Sequence, residues 1–483
     1  MNRDLATLCR GLGLTPPPAS AALPVAGVTT DSRGEVTGRL FFALTGPRFD
    51  GHDFVAQALA KGAVAAVVAA SRWASHPDAV LVPGDRILAV ADPLTALGSL
   101  AHWWRQQWGG PVVAITGSAG KTTTKELLAS ALRAALGDEA VWATPGNWNN
   151  AVGVPLTLLG LTSAHQVAVV EVAMNQPGEI SALGRLAAPN VAVVLNALRA
   201  HLAGLGSLAA IAAEKGSLIT TLAPEGVAVL PIDSPFFSAW HRLAAGQRVV
   251  TFGRAPEATV RLLATQSSAS GLSVTIERAG QPFTVALPCW GEHLGALVAA
   301  ALAVLGQWPF HLGGIDASAV GHSASLWEAA AAAWAKLPPV PGRLERLVTP
   351  SGALLFNDTY NANPDAMRAA IDVLVAEEAA QRIVVIGEMA ELGAASRDLH
   401  KEVGAYARDR GIDRFYALGG DDARAAAAAF GQEGRVYESA EALLAELMPE
   451  VNGQTAVLVK GSRVSRMERI VAALCGQGGK SAA

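Results

Sequence analysis

The sequence predicts an α/β protein of three domains: a small α/β domain, a central domain with a mainly parallel sheet around a glycine loop, and a Rossmann-like C-terminal domain. Three observations carry this. The chain has 483 residues, 51% of them apolar, which suits about three cores of ordinary size. Short apolar runs alternate with helix-spaced segments in two series, one beginning at Val112 and one at Ala353. The run LPPVPG (337–342), stiffened by three prolines, separates the two series. The expected domains are 1–107, 108–338 and 339–483.

In the first, LFFAL (40–44) and AVAAVVAA (63–70) are broken by Gly/Asp turns, as in a small α/β unit. Trp103, Trp104 and Trp108, followed by Gly109-Gly110-Pro111, mark its end. The central series begins with the strand VVAIT (112–116), the loop GSAGK (117–121) and a helix with Leu127, Leu128, Ala131, Leu132, Ala135 and Leu136 at helical spacing. Strands follow at 167–173, 191–196 and 227–231, with a helical segment at 207–222, and a parallel, helix-covered sheet is predicted. The alternating LSVTIERAGQPFTVAL (272–287) predicts an antiparallel hairpin at its edge. In the last domain, strands at 353–357, 382–387, 414–419 and 455–461 alternate with helical patterns. No repeat of solenoid period is present.

Composition narrows the function. With 37 Lys+Arg against 41 Asp+Glu and a net charge of −4, there is no basic surplus for sequence-independent attraction to phosphate backbones, so nucleic acid is not an expected partner. Cys9, Cys289 and Cys475 are far apart and outside any metal-ligand spacing, as in a reducing cytosol, so a cytoplasmic location is expected. Arg3, Asp4 and Arg10 interrupt what would be the apolar core of a signal peptide. The longest uncharged apolar stretch, 294–310, falls short of the about 20 residues of a membrane helix. It reads as a buried helix ending near Gly306, and no membrane insertion is expected.

The most informative segment is Gly117-Ser118-Ala119-Gly120-Lys121-Thr122-Thr123. It lies between a buried strand and a helix N-terminus, where free N–H groups and the helix dipole favour phosphate oxygens. Lys121 is placed to meet β/γ-phosphates and Thr122 to bind Mg²⁺. The first glycine of the longer phosphate-loop pattern would fall on Ile115, so this is the short G-x-x-G-K-T form. Glu171 interrupts the apolar strand VAVVEVA (167–173). A carboxylate there needs a partner, and at the carboxyl end of a strand beside the loop that partner is expected to be Mg²⁺. The run Asn357 to Asp365 holds more amides than a turn requires and reads as a ligand-binding loop. His201 and Lys215, taken alone, carry no assignment.

Taken together these segments resemble the Mur ligase family, ATP-dependent amide-forming enzymes of peptidoglycan precursor synthesis. The resemblance covers nearly the whole chain: TDSRGEVTGRLFFALTGPRFDGHDFV (30–55), ITGSAGKTTTKELL (115–128), TPGNWNNAVGVPLTLL (144–159), NQPGEI (175–180), AHLAGLGS (200–207), PGRLE (341–345), NDTYNANPDAM (357–367), GEMAELG (387–393) and KGSR (460–463). GNWNN with NDTYNANP points to the branch that adds D-alanyl-D-alanine. The resemblance implies a UDP-binding first domain, a central ATPase and a third domain that closes over the nucleotide. It implies ATP and Mg²⁺ as cofactors, and UDP-N-acetylmuramoyl-tripeptide and D-alanyl-D-alanine as partners; a monomer is expected.

By the same resemblance Ser32, Arg33, Arg48, Asp50 and His52 lie near the UDP-sugar, and Thr144, Asn147, Asn149 and Asn150 near the muramoyl peptide. Arg343 and Asp358 reach ATP from the third domain, while Asn361, Asn363 and Asp365 line the acceptor side. Thr122, Glu171 and His201 match magnesium ligands, and Lys215 matches a lysine that forms a carbamate near a second metal. Lys121, His201 and Lys215 are the expected catalytic residues.

The chain also departs from the family pattern. GEHLGAL (291–297) has Leu294 and Leu297 where asparagines occur, Gln176 replaces a histidine, and Ala203 replaces an acidic residue. A nucleotide- or UDP-sugar-binding relative with little turnover, and a ligase of the same fold with another acceptor, therefore stand beside the leading expectation.

Overall fold

The computed structural model describes residues 4–268, 270–278, 280–308 and 323–476. The far end of the apolar stretch 294–310 and the last residues of the expected third domain lie outside them. The protein is α/β, with three sheets dominated by parallel pairing. The first sheet has four parallel strands, Gly27–Thr29, Arg39–Phe42, Ala65–Ala69 and Ile87–Val90. The helix Pro93–Trp108 covers it, starting at a Pro behind the Asp92 cap and ending at left-handed Gly109.

That helix also ties the first core to the second. Trp104 Nε1 donates to Leu161 O at 3.0 Å, and buried Arg105 donates to Ala187 O at 2.9 Å and to Asn190 Oδ1 at 3.2 Å. The aromatic cluster that marks the end of the first domain in the sequence thus belongs to one core shared by both domains.

The central sheet has nine strands. Its parallel part runs in the order Val260–Ser268, Arg248–Gly253, Val227–Pro231, Val191–Val194, Val112–Thr116, Val167–Glu171, Val141–Ala143. The expected hairpin, Gly271–Arg278 and Gln281–Leu287, adds to its far edge in antiparallel register. Val112–Thr116 and Val167–Glu171 are buried along their whole length, and are apolar up to their last residues, as strands in a doubly covered sheet should be. The expected buried helix is Leu294–Leu305; it packs on the sheet beside the helix Lys121–Leu136 and ends at Gly306.

The third sheet runs Glu345–Val348, Leu354–Asp358, Thr455–Lys460, Gln381–Gly387, Arg414–Leu418, Gly434–Tyr437, parallel except for its first pair. Among the described residues no helix is long and apolar enough to cross a membrane.

Candidate active site

The carboxyl ends of the central strands open onto a cleft of about 580 Å³ lined by both the central and the third domain. The glycine loop forms one wall. The strand ending at Thr116 passes through Gly117, whose added Cβ would lie 2.9 Å from Leu195 Cβ, and through left-handed Gly120 at φ 85°. The helix Lys121–Leu136 then begins, so its first-turn N–H groups face the cleft without helical acceptors. Lys121 Nζ donates to Gly117 O at 2.7 Å. Burial pulls the Lys121 ammonium down to about 8; Glu171 opposes this and Arg343 adds to it.

Two loop residues behave differently from expectation. The N–H groups of Ser118 and Ala119 both donate to Asn196 Oδ1 at 3.0 Å, and Asn196 Nδ2 returns a bond to Ala119 O. These two amides therefore brace the loop, and the loop N–H groups left to face the cleft are those of the first helical turn from Lys121 to Thr123. Asn196, two residues past the strand Val191–Val194, is a loop-bracing residue that the sequence reading missed; the amide that ends an apolar run was its signal.

Glu171 sits deeper, with no exposed surface. Asn149 Nδ2 donates to its Oε2 at 3.3 Å, Lys125 Nζ lies 3.7 Å from its Oε1, and Oε1 has no hydrogen bond. A buried carboxylate oxygen without a donor is costly. With the Thr122 hydroxyl and the His201 imidazole on the same cleft, it forms a donor set that fits a hard divalent cation. Among the described residues no three His, Cys, Asp or Glu side chains converge, so such a site would depend on hydroxyl, phosphate and water oxygens as well.

Lys215, on the helix Leu208–Gly216, is 1% exposed and makes no hydrogen bond or ion pair among the described residues. Burial, and then the positive charge of Lys121, push its ammonium far below the ordinary lysine range, against Glu214. Glu214 itself accepts from Gly178 N and Ile180 N, at the start of another helix. The surroundings thus disfavour the charged form of Lys215.

The third domain supplies the opposite wall. Arg343 Nη2 donates to Thr122 Oγ1 at 2.8 Å, while Lys460 Nζ binds Asp358 Oδ2 at 2.6 Å and Asn361 O at 2.9 Å. Lys460 lies in the matched KGSR segment, but the sequence reading gave it no role. Asn363 Oδ1 caps the helix Pro364–Val375, and Asp365 is held by Arg199 of the central domain through N–H and guanidinium bonds of 2.6–3.3 Å. Arg199 also binds Glu402. Asp365 thus lines the cleft as one half of an interdomain ion pair, and Asn363 lines it as a helix cap. Asn361 lines the same wall.

Of the residues expected near the muramoyl peptide, Asn147 and Asn149 line the cleft. Thr144 is buried, with its hydroxyl accepting from Glu171 N, and Asn150 Oδ1 accepts from Val152 N and Gly153 N. Both shape the wall from behind. Ser32, Arg33, Arg48, Asp50 and His52 lie in the first domain, outside the cleft lining. Arg33 pairs with Asp31 in solvent, while Asp50 joins His52 and Arg72. His52 is buried, its Nε2 accepting from Ala69 N at 2.9 Å. Both His52 nitrogens therefore have protein partners.

Three family models match successive parts of the chain: the Mur ligase family catalytic domain over residues 24–105, the Mur ligase middle domain over 115–305, and the Mur ligase glutamate ligase domain over 342–463. The UDP-N-acetylmuramoyl-tripeptide–D-alanyl-D-alanine ligase of Escherichia coli is 38% identical over 459 residues, covering 94% of either chain. The chain belongs to the Mur ligase family. Among solved structures of that family, MurF from Acinetobacter baumannii superposes with a TM-score of 0.84 at 29% identity, covering 99% of both chains. MurF from Thermotoga maritima, solved in complex with ADP, has a TM-score of 0.77 at 29% identity and covers 93% of this chain and 97% of its own.

In this Mur ligase, Leu294 and Leu297, which the sequence reading marks as departures from the family pattern, are both buried at the edge of the cleft. A Cβ on Gly120 would lie 2.6 Å from Leu297 Cδ2. Leu297 thus packs directly on the phosphate-loop glycine and makes that end of the cleft apolar.

Proposed function

We propose that the protein is an ATP-dependent ligase that joins D-alanyl-D-alanine to UDP-N-acetylmuramoyl-tripeptide in the cytoplasm, as a step of peptidoglycan precursor synthesis. The observation that carries this reading is the 38% identity, over 94% of both chains, to the Escherichia coli enzyme of that name. The geometry is compatible with it: one cleft brings a phosphate-binding loop from the central domain against arginine, lysine and amides from the third.

The reaction proceeds in two balanced steps. A carboxylate oxygen of the tripeptide attacks the γ-phosphorus of ATP, the bond to the β-bridging oxygen breaks, and ADP leaves. The acyl phosphate so formed has the leaving group that a carboxylate lacks. The dipeptide amine then attacks the acyl carbon; the tetrahedral intermediate collapses to amide and phosphate, and the nitrogen gives up its extra proton.

Lys121 and the N–H groups of the first helical turn hold the phosphates, and Arg343 adds charge from the other side of the cleft. Thr122, Glu171 and His201, with Lys215 close to them, would hold Mg²⁺, which when bound neutralises charge on the phosphoryl oxygens. Asn147, Asn149 and Asn361 orient the peptide substrates. The third domain shuts the cleft and keeps water from the acyl phosphate.

The test is phosphate release from ATP with Mg²⁺, UDP-linked tripeptide and D-alanyl-D-alanine, each omitted in turn, with the product mass recorded. Release that needs every component, with a product heavier by one dipeptide residue, supports the ligase. Binding of ATP and UDP-sugar without release would favour a binding protein of the same fold.

A further inference from the structure

The loop that carries His201 is held from outside its own domain. His201 is in the left-handed region at φ 59°, and across the interface Glu391, in the third domain, is likewise at φ 62°. Non-glycine residues take such angles only when their surroundings hold them there. Here the two residues hold each other. The Glu391 carboxylate contacts His201 Nδ1, and Ala203 N donates back to Glu391 O at 2.9 Å. Gly393 packs close by; a Cβ on it would lie 3.2 Å from Ala203 Cα. Two residues before His201, Arg199 anchors the same loop to Asp365 and Glu402.

We propose that Glu391 is a positioning residue for His201, delivered by the third domain. Its carboxylate lies in ion-pair contact with Nδ1, which favours the proton on that nitrogen and leaves Nε2 with a lone pair. His201 lines the cleft, and no hydrogen bond reaches Nε2 among the described residues. The ring is thereby ready to donate Nε2 to a divalent cation, as carboxylate–imidazole pairs do elsewhere. The inference rests on the reading of His201 as a magnesium ligand and adds that the ligand set of the central domain is completed by the third. Domain closure and cation binding are then linked: each favours the other.

The experiment uses the full chain, with Mn²⁺ as the probe, a non-hydrolysable ATP analogue present, and free Mn²⁺ read by electron paramagnetic resonance. Nitrogen chemical shifts of the His201 ring report the tautomer, and thermal midpoints check folding. Glu391→Ala is expected to weaken Mn²⁺ binding by about 10–100-fold and to lose the Nδ1–H tautomer, whereas Glu391→Gln, which still offers a carbonyl acceptor, restores most of both. His201→Ala separates the two claims. If His201→Ala weakens Mn²⁺ binding and Glu391→Ala does not, the positioning role is overturned and the ligand reading stands. If His201→Ala leaves Mn²⁺ affinity unchanged, the ligand reading fails and the positioning role falls with it.

Discussion

Arg343 and Thr122 meet across the cleft: the guanidinium of the third domain donates to the hydroxyl that follows the phosphate-loop lysine at 2.8 Å, and its carbon lies 4.1 Å from the Tyr360 ring centroid. The ring face restrains the planar cation, so its fork is aimed before any phosphate arrives. The pair connects domains that are 221 residues apart in sequence at this point.

Arg343→Ala should therefore lower kcat by on the order of 10²–10³-fold, as loss of a preorganised charge on a transferring phosphoryl group does, with the thermal midpoint little changed. Arg343→Lys should not recover it, because an ammonium neither stacks on Tyr360 nor presents a fork. Steady-state kinetics on both variants check this; wild-type turnover in Arg343→Lys would show that charge alone suffices.

The Arg199 cluster makes closure sensitive to salt and not to mild acid. Burial alone would raise Asp365, but the Arg199 hydrogen bonds outweigh it and hold the carboxyl below its ordinary range; Glu402 is lowered chiefly by its own bonds to Arg199. Groups depressed in the folded state contribute stability above their unfolded pKa, about 4, and lose it as pH falls through the lower folded value. Small-angle scattering should show the same compact form from pH 8 to pH 5, and expansion as ionic strength rises, since the partners are partly exposed. A double-mutant cycle of Arg199→Met with Asp365→Asn should give a coupling of about 1 kcal/mol.

Lys215 offers a separation of stability from activity. An amine 1% exposed, with no hydrogen bond or ion pair among the described residues, is a burden on the fold. Lys215→Met, of similar length, should keep or raise the thermal midpoint while turnover is lost. A midpoint several degrees lower would mean that the amine has a structural partner essential to the fold.

Gly120→Ala should cost about 1–2 kcal/mol, because φ 85° is unfavourable for a residue with a Cβ, and the Cβ would meet Leu297. Combining it with Leu297→Ala would relieve the crowding but not the backbone term. Nucleotide affinity, followed by titration calorimetry, should stay weakened in the double variant.

Much of this architecture is legible in the residues. The stretches 112–115, 167–170 and 191–194 are unbroken apolar runs because helices cover both faces of the sheet. Glu171 is legible for the complementary reason, as a charge where no charge should be. Val141–Ala143 and Gly434–Tyr437 escape a sequence reading because three or four residues with little alternation carry no period. Asp365 and Asn363 are visible as a polar loop, but the interdomain partner of Asp365 is not. Arg199, Glu391 and Glu402 acquire their roles only when the third domain meets the central one, and no local pattern records a contact across 166 or 203 residues.

The measurement that tests the central claim most directly follows oxygen. The tripeptide is prepared with ¹⁸O in its terminal carboxylate and incubated with the protein, ATP, Mg²⁺ and D-alanyl-D-alanine. Attack of that carboxylate on ATP predicts one ¹⁸O atom in the phosphate released for each amide formed. Phosphate without the label, or unlabelled release in excess of the amide formed, would mean that water is the acceptor, and would contradict the assignment of this cleft to acyl-phosphate chemistry.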